Sequence, residues 1–293
     1  MFRIYTLLFI GILIASTSSI LVRWCGDVPP TVISFYRLAL STLLLLGYHS
    51  FLPKTRKSSL LQFHWNYVLA GFFLAIHLIS WIASLQMTTI AHSIFLEGTH
   101  PVFAVIVSAI FLKEYPSKNI IPLFLLAVVG MGLIVYPDLG PAGTQITGDA
   151  LAILSALCLA LYLLIARRHK SEQDFIKYLI YIYGSAALCC AIYIIADHNS
   201  FSNHKLQSWL MMILLALGPN LIGHSLLNWA SRHLQIFKVN MSLLLEPVLA
   251  TLGGMLIFSE FPETSFYAGA GTILLAVGLL VYFEKKTSSI KAL

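Results

Sequence analysis

Ten apolar blocks, each about as long as the hydrocarbon core of a bilayer is thick, follow one another at 4–22, 31–52, 66–85, 91–112, 119–136, 148–166, 176–196, 209–230, 236–258 and 266–283. A helix crosses that core in roughly 20 residues, and only short polar stretches separate the blocks. Side chains this apolar, in runs this long, have no favourable surroundings but lipid and one another. Charged residues make up 10% of the 293 and the mean hydropathy is +0.85, whereas a soluble domain carries about 25% charged residues. Too few polar groups are present to cover a water-exposed surface.

Lipid gives backbone N–H and C=O groups no outside partner, so only helices and closed barrels span it. Barrel strands alternate apolar and polar side chains; runs such as Leu43-Leu44-Leu45-Leu46 do not. The expected fold is all-α and integral to the membrane.

The formal charge of +6 would suggest nucleic acid in a soluble protein, but here the positions of the cations matter more than their sum. With the N-terminus in the cytoplasm, 15 Lys and Arg fall on cytoplasmic segments and two, Arg23 and Lys205, on outer loops. The positive-inside rule therefore puts both termini in the cytoplasm, and no nucleic-acid partner is expected. Residues 4–15 followed by Ala15-Ser16-Thr17 also have the form of a cleaved signal peptide. Its loss would leave nine helices and spoil both the charge pattern and the repeat below, which favours a span. Cys25, Cys158, Cys189 and Cys190 show no spacing typical of a metal site or disulfide framework.

A shift of 146 positions lays the chain on itself. Glu114-Tyr115-Pro116 falls on Glu260-Phe261-Pro262, Pro101-Val102 on Pro247-Val248, and Gly132-Leu133 with Val135-Tyr136 on Gly278-Leu279 with Val281-Tyr282. From Pro101 to Tyr136 the two stretches share nine identities in 36 ungapped positions. Apolar bias accounts for the Leu and Val matches but not for two prolines, a glutamate and a tyrosine. The offset is half the chain, which predicts two five-helix repeats, 1–142 and 143–293, joined in the loop Pro137 to Thr147. An odd number of spans forces the second copy to enter the membrane from the opposite side. Ten transmembrane helices as two inverted five-helix repeats is the arrangement that supports alternating access around a midplane site.

At these motifs the chain resembles the drug/metabolite transporter superfamily, specifically its EamA-like ten-helix permeases. The residues carrying the resemblance are FYRLAL (35–40), SWIASLQMTTIAHS (80–93), TxPVF (99–103) and FLKE (111–114) in the first half, with GHSLLNWASR (223–232), LEPVLA (245–250) and FSEFP (258–262) in the second. The resemblance implies secondary transport, by export or uptake, of amino acids, nucleotide-like metabolites or drugs through a central cavity, in the cytoplasmic (inner) membrane of a bacterium. It does not single out a substrate.

Polar side chains inside the blocks are the candidate site, because placing one at mid-membrane costs a few kcal/mol. Arg37 shares a face of the second block with Ser34 and Ser41, at i, i+3 and i+7. It suits the wall of an anion-binding cavity; the blander alternatives are snorkelling outward or pairing with Glu97. Asn220, His224 and Asn228 form a stripe at i, i+4 and i+8 that faces either a cavity or a neighbouring helix. His77 and Trp81 lie one turn apart and loosely mirror His224 and Trp229 in the other half, the placement expected at a repeat interface. Interhelical hydrogen bonding is the plainer role for either histidine.

Glu97, His100 and Pro101 combine polar groups with a helix breaker, and Glu246 stands beside Pro247 in the matching block. The two prolines are candidate hinges, with a static kink as the alternative. Glu246 is the better carrier for a coupling proton, a structural carboxyl being the competing role. Glu97-x-x-His100 has the form of half a di-iron site, but no second such pair exists, and neither a metal nor any cofactor is expected. No HExxH or GxSxG pattern supports hydrolysis, so the chain is not expected to be an enzyme; an intramembrane enzyme or a non-transporting scaffold remain the rival classes. Glu114 and Glu260 are expected to cap the helices that follow them. The predicted cavity draws on the first, second, third, fourth, sixth, eighth and ninth helices, and its substrate is a small amphipathic organic molecule.

Overall fold

The computed structural model describes residues 2–52, 64–88, 90–136, 146–169, 175–259 and 261–290. Among them nine helices are long and apolar enough to cross a membrane: Arg3–Cys25, Pro30–Phe51, Trp65–Met87, Ser93–Leu112, Ile146–Arg168, Phe175–Ala196, Leu206–His233, Ile236–Ile257 and Thr264–Phe283. A shorter apolar helix, Ile121–Val135, lies fifth in order and completes the ten spans foreseen. No strand occurs among the described residues. Large apolar side chains point outward, Leu256 at 87% exposure and Leu43 at 63%, which is favourable only where the surroundings are hydrocarbon.

Four of the spans are not uniform α-helices. The first breaks between Phe2–Ala15 and Ser18–Cys25. The fourth consists of Ile90–Glu97 and His100–Leu112, with Gly98 and Thr99 as the join. Pro101 stands at the start of the second piece, where its missing N–H has no helical carbonyl to serve. The ninth breaks at Leu244, between Ile236–Leu243 and Leu245–Phe258, just ahead of Pro247. The eighth opens from Leu206–Leu215 into a π-helical stretch, Ala216–His224, and closes again as Ser225–His233. Pro219 lies inside that stretch; a proline there removes one regular hydrogen bond, and the widened turn accommodates its ring.

Packing follows the repeat. The third span runs along the sixth and the first along the eighth; the second packs on the seventh, the fifth on the tenth, and the fourth meets the ninth. Exchanging each span with the one five places on maps this set onto itself. The fifth and tenth also show the inversion directly. A Cβ on Gly130 would lie 2.8 Å from the Gly269 carbonyl and 2.8 Å from Ile273, while one on Gly269 would meet Ile134 at 2.7 Å. Gly130 thus faces Ile273 while Ile134 faces Gly269, so the two helices run antiparallel. The third and sixth spans come close because the sixth turns Ala152, Ala156 and Ala160, each fully buried, toward its neighbours, the small-residue spacing that brings helices together in lipid.

Both ends of the bundle are tied. At one end Arg167 Nε and Nη2 donate to Glu114 Oε1 at 3.0 and 2.8 Å. Arg167 Nη1 donates to the Arg232 carbonyl at 3.2 Å, and Arg232 Nη2 to the His169 carbonyl at 3.1 Å. Glu114 therefore spends an oxygen on the sixth span, rather than on capping the fifth as expected from its turn. Its counterpart Glu260 lies outside the described residues, as does most of the join between the repeats. At the other end Tyr36 donates its hydroxyl to the Phe201 carbonyl at 2.9 Å, Ser208 donates to the Cys25 carbonyl at 2.9 Å, and the rings of Tyr36 and Trp209 meet edge to face at 4.6 Å.

Candidate functional site

The breaks in the first, fourth and ninth spans lie near a small space between the two halves. Its lining includes Arg37, His77, Trp81, Glu97, His224 and Glu246, with Ala15, Ser18 and several leucines completing it. These residues come from the first, second, third, fourth, sixth, eighth and ninth spans, the seven nominated from the sequence. The cavity volume is about 40 Å³, room for a few water molecules and far below the roughly 300–1,000 Å³ of a metabolite pocket. At this volume the space does not hold a metabolite.

Arg37 is fully buried, so its guanidinium does not snorkel to the surface. None of its three side-chain nitrogens has a hydrogen-bond partner among the described residues. The second span places it there through Ser41, whose hydroxyl lies 2.8 Å from the Arg37 carbonyl and 2.9 Å from that of Ala216 in the π-helical stretch. Ser34, one turn away, is equally buried and its hydroxyl also has no partner among the described residues. The carboxyl group of Glu246 lines the same space as Arg37 and bears on it electrostatically, and that of Glu97 lines it too. A buried cation without a hydrogen-bonded counter-ion is costly, and an incoming anionic group would relieve that cost.

His77 meets the sixth span: Nδ1 is 2.9 Å from Ser155 Oγ and 3.1 Å from the Ser155 carbonyl oxygen. The rings of His77 and His224 stand 6.2 Å apart, one from each half. His224 Nδ1 has no partner among the described residues.

The other polar residues nominated from the sequence lie outside the lining. His100 Nδ1 is 3.0 Å from Asn240 Oδ1, a buried link between the fourth and ninth spans. Asn228 donates to the His224 carbonyl at 2.8 Å and to the Tyr162 hydroxyl, while accepting from Tyr178 at 3.3 Å. The side chain of Asn220 is fully buried with neither polar atom partnered among the described residues, although its backbone carbonyl accepts from Tyr183 at 3.2 Å. Trp229 turns away and stacks near His233, ring centres 4.2 Å apart. Ser155, Asn240 and Tyr162 were not singled out from the sequence. A hydroxyl or amide within an apolar span was the available signal, but it is shared by many residues that only bond their own helix.

The model of the EamA-like transporter family matches residues 2–136 and again 146–282. An S-adenosylmethionine uptake transporter of Rickettsia bellii is 27% identical over 263 residues, covering 88% of this chain and 86% of the relative. Its namesake in Rickettsia conorii is 26% identical over 266 residues, covering 88% and 85%. A solved structure superposes with a TM-score of 0.79 at 17% identity, covering 94% of this chain and 96% of the other, and shares the fold. Two matches to one family model, laid over the two halves of a ten-span bundle, place this chain in the EamA-like transporter family.

Proposed function

We propose that the protein carries a small amphipathic metabolite with an amino-acid head group, of the S-adenosylmethionine kind for which its Rickettsia relatives are named, across the bacterial inner membrane by alternating access. Arg37 is the observation that carries this reading. A sealed, unpartnered guanidinium on a central cavity, with two carboxyl groups beside it, suits a ligand bearing both a carboxylate and a positive centre. Trp81 adds an aromatic face for a cation or a flat ring. The two halves, 1–142 and 143–293, act as the moving units, with the breaks at Pro101 and Pro247 as hinges. The end tied by Glu114 and Arg167 faces the cytoplasm, a reading supported by the distribution of Lys and Arg, and Tyr36 with Phe201 closes the outer end.

Purified protein reconstituted in liposomes tests this. Labelled S-adenosylmethionine should accumulate in a saturable way, and unlabelled compound should compete. No uptake of it or of any compound in a broad panel of amino acids, nucleosides and quaternary amines would refute the proposal.

A further inference from the structure

We propose that Glu97 sets specificity by reading a second, fixed positive centre on the substrate, so that the site selects an amino acid carrying a sulfonium or comparable cation over its uncharged counterpart. This deepens the transport function proposed above and rests on it.

The cavity wall is unbalanced. Leaving its two histidines aside, it presents one guanidinium, Arg37, against two carboxyl groups, Glu97 and Glu246. A simple amino-acid zwitterion answers only part of this set. Its carboxylate and ammonium sit on one carbon, so they suit neighbouring partners of opposite sign. Arg37 and Glu246, within electrostatic reach of each other, are such a pair. Glu97 is left over, and it shares the lining with a second carboxyl group, Glu246, that bears on it electrostatically.

No arginine or lysine among the lining residues is free to balance Glu97, because Arg37 is the sole one there. A ligand with one anionic and two cationic centres completes the count; a ligand with one of each leaves a carboxyl group uncompensated in a closed site. Trp81 stands in the same wall, and a polarisable, weakly hydrated cation such as a sulfonium gains from an aromatic face where a neutral thioether does not. Arg37 supplies an independent sign that a ligand belongs here: it is fully buried, unpartnered and on the cavity.

The test uses two pairs of compounds, each differing by one alkyl group and the charge it creates at sulfur: S-adenosylmethionine with S-adenosylhomocysteine, and S-methylmethionine with methionine. Competition for uptake in liposomes and thermal stabilisation in detergent are both measured. Wild-type protein should prefer the sulfonium member by about tenfold or more, the scale of a desolvated charge contact. Glu97→Gln should cut that preference to about twofold, by weakening binding of the sulfonium member and strengthening that of the thioether member, which no longer leaves a carboxyl group uncompensated. Glu97→Asp, which keeps the charge, should retain a preference.

Equal recognition of both members by wild type would overturn the assignment, and so would a Glu97→Gln variant, monodisperse on gel filtration, that keeps the full preference. Transport of some other metabolite, with no binding of any amino-acid derivative, would overturn the role of Glu97 while leaving transport standing. Absence of transport altogether would remove both.

Discussion

Arg37 is costly to the fold and valuable to the site. Its guanidinium has lost water and gained no hydrogen bond among the described residues, a penalty larger than the ~1–3 kcal/mol that a neutral polar group incurs in soluble proteins. Arg37→Met, similar in length and apolar, should therefore leave the melting temperature in detergent unchanged or raise it by a few degrees, while substrate uptake falls by at least about tenfold. Arg37→Lys should recover little uptake, since a point charge lacks the planar fork that grips a carboxylate. A variant that loses stability and uptake together would show instead that the residue props up the bundle. In the sequence Arg37 was visible as a charge in an apolar block, but whether it snorkelled, paired or stood free was not. That depended on Ser41 meeting Ala216 in the eighth span, a contact between residues 175 apart that no local pattern announces.

At the scale of the helix, the breaks in the fourth and ninth spans carry the expected motion. Both fall beside a proline shared by the repeats, Pro101 and Pro247, and beside a carboxyl group on the cavity, Glu97 and Glu246. Pro247→Ala would restore a backbone donor and stiffen the ninth span. The maximal uptake rate should fall several-fold while the concentration for half-maximal uptake changes by less than about twofold, the signature of a slowed conformational step. An unchanged rate would make the break a static kink. The spans themselves were legible because hydrocarbon thickness fixes their length and composition marks their edges. The breaks at Pro101 and Pro247 were legible too, since a proline within an apolar span removes a helix hydrogen bond. The π-helical stretch around Pro219 was not: the sequence shows a proline, but whether a turn kinks or widens depends on what packs against it, here the first and second spans. His100 shows the same limit. Its placement beside Glu97 suggested the cavity, and its link to Asn240 across the fourth and ninth spans depends on their relative rotation.

Across the whole molecule, two antiparallel halves flank a space too small for a metabolite, and each end is held by contacts that would part in turn under the alternating access proposed above. The ends differ in chemistry. One is ionic, with Glu114 taking two donated hydrogen bonds from Arg167, whose side chain is 12% exposed. The other relies on the Tyr36 hydroxyl and aromatic edges. Glu114→Gln weakens only the ionic end, and a hydrogen bond to a charged group is worth about 1.5–3 kcal/mol, so the ratio of conformations should move about tenfold or more toward the state open at that end. Tyr36→Phe removes one donor at the opposite end and should move the ratio the other way, by less. Ser18 lines the cavity, and a cysteine placed there, in protein whose Cys25, Cys158, Cys189 and Cys190 are replaced by serine or alanine, reports which end is open. With a membrane-impermeant maleimide supplied from outside, labelling should slow in Glu114→Gln and quicken in Tyr36→Phe. Movement in the same direction for both would mean that the two ends do not alternate.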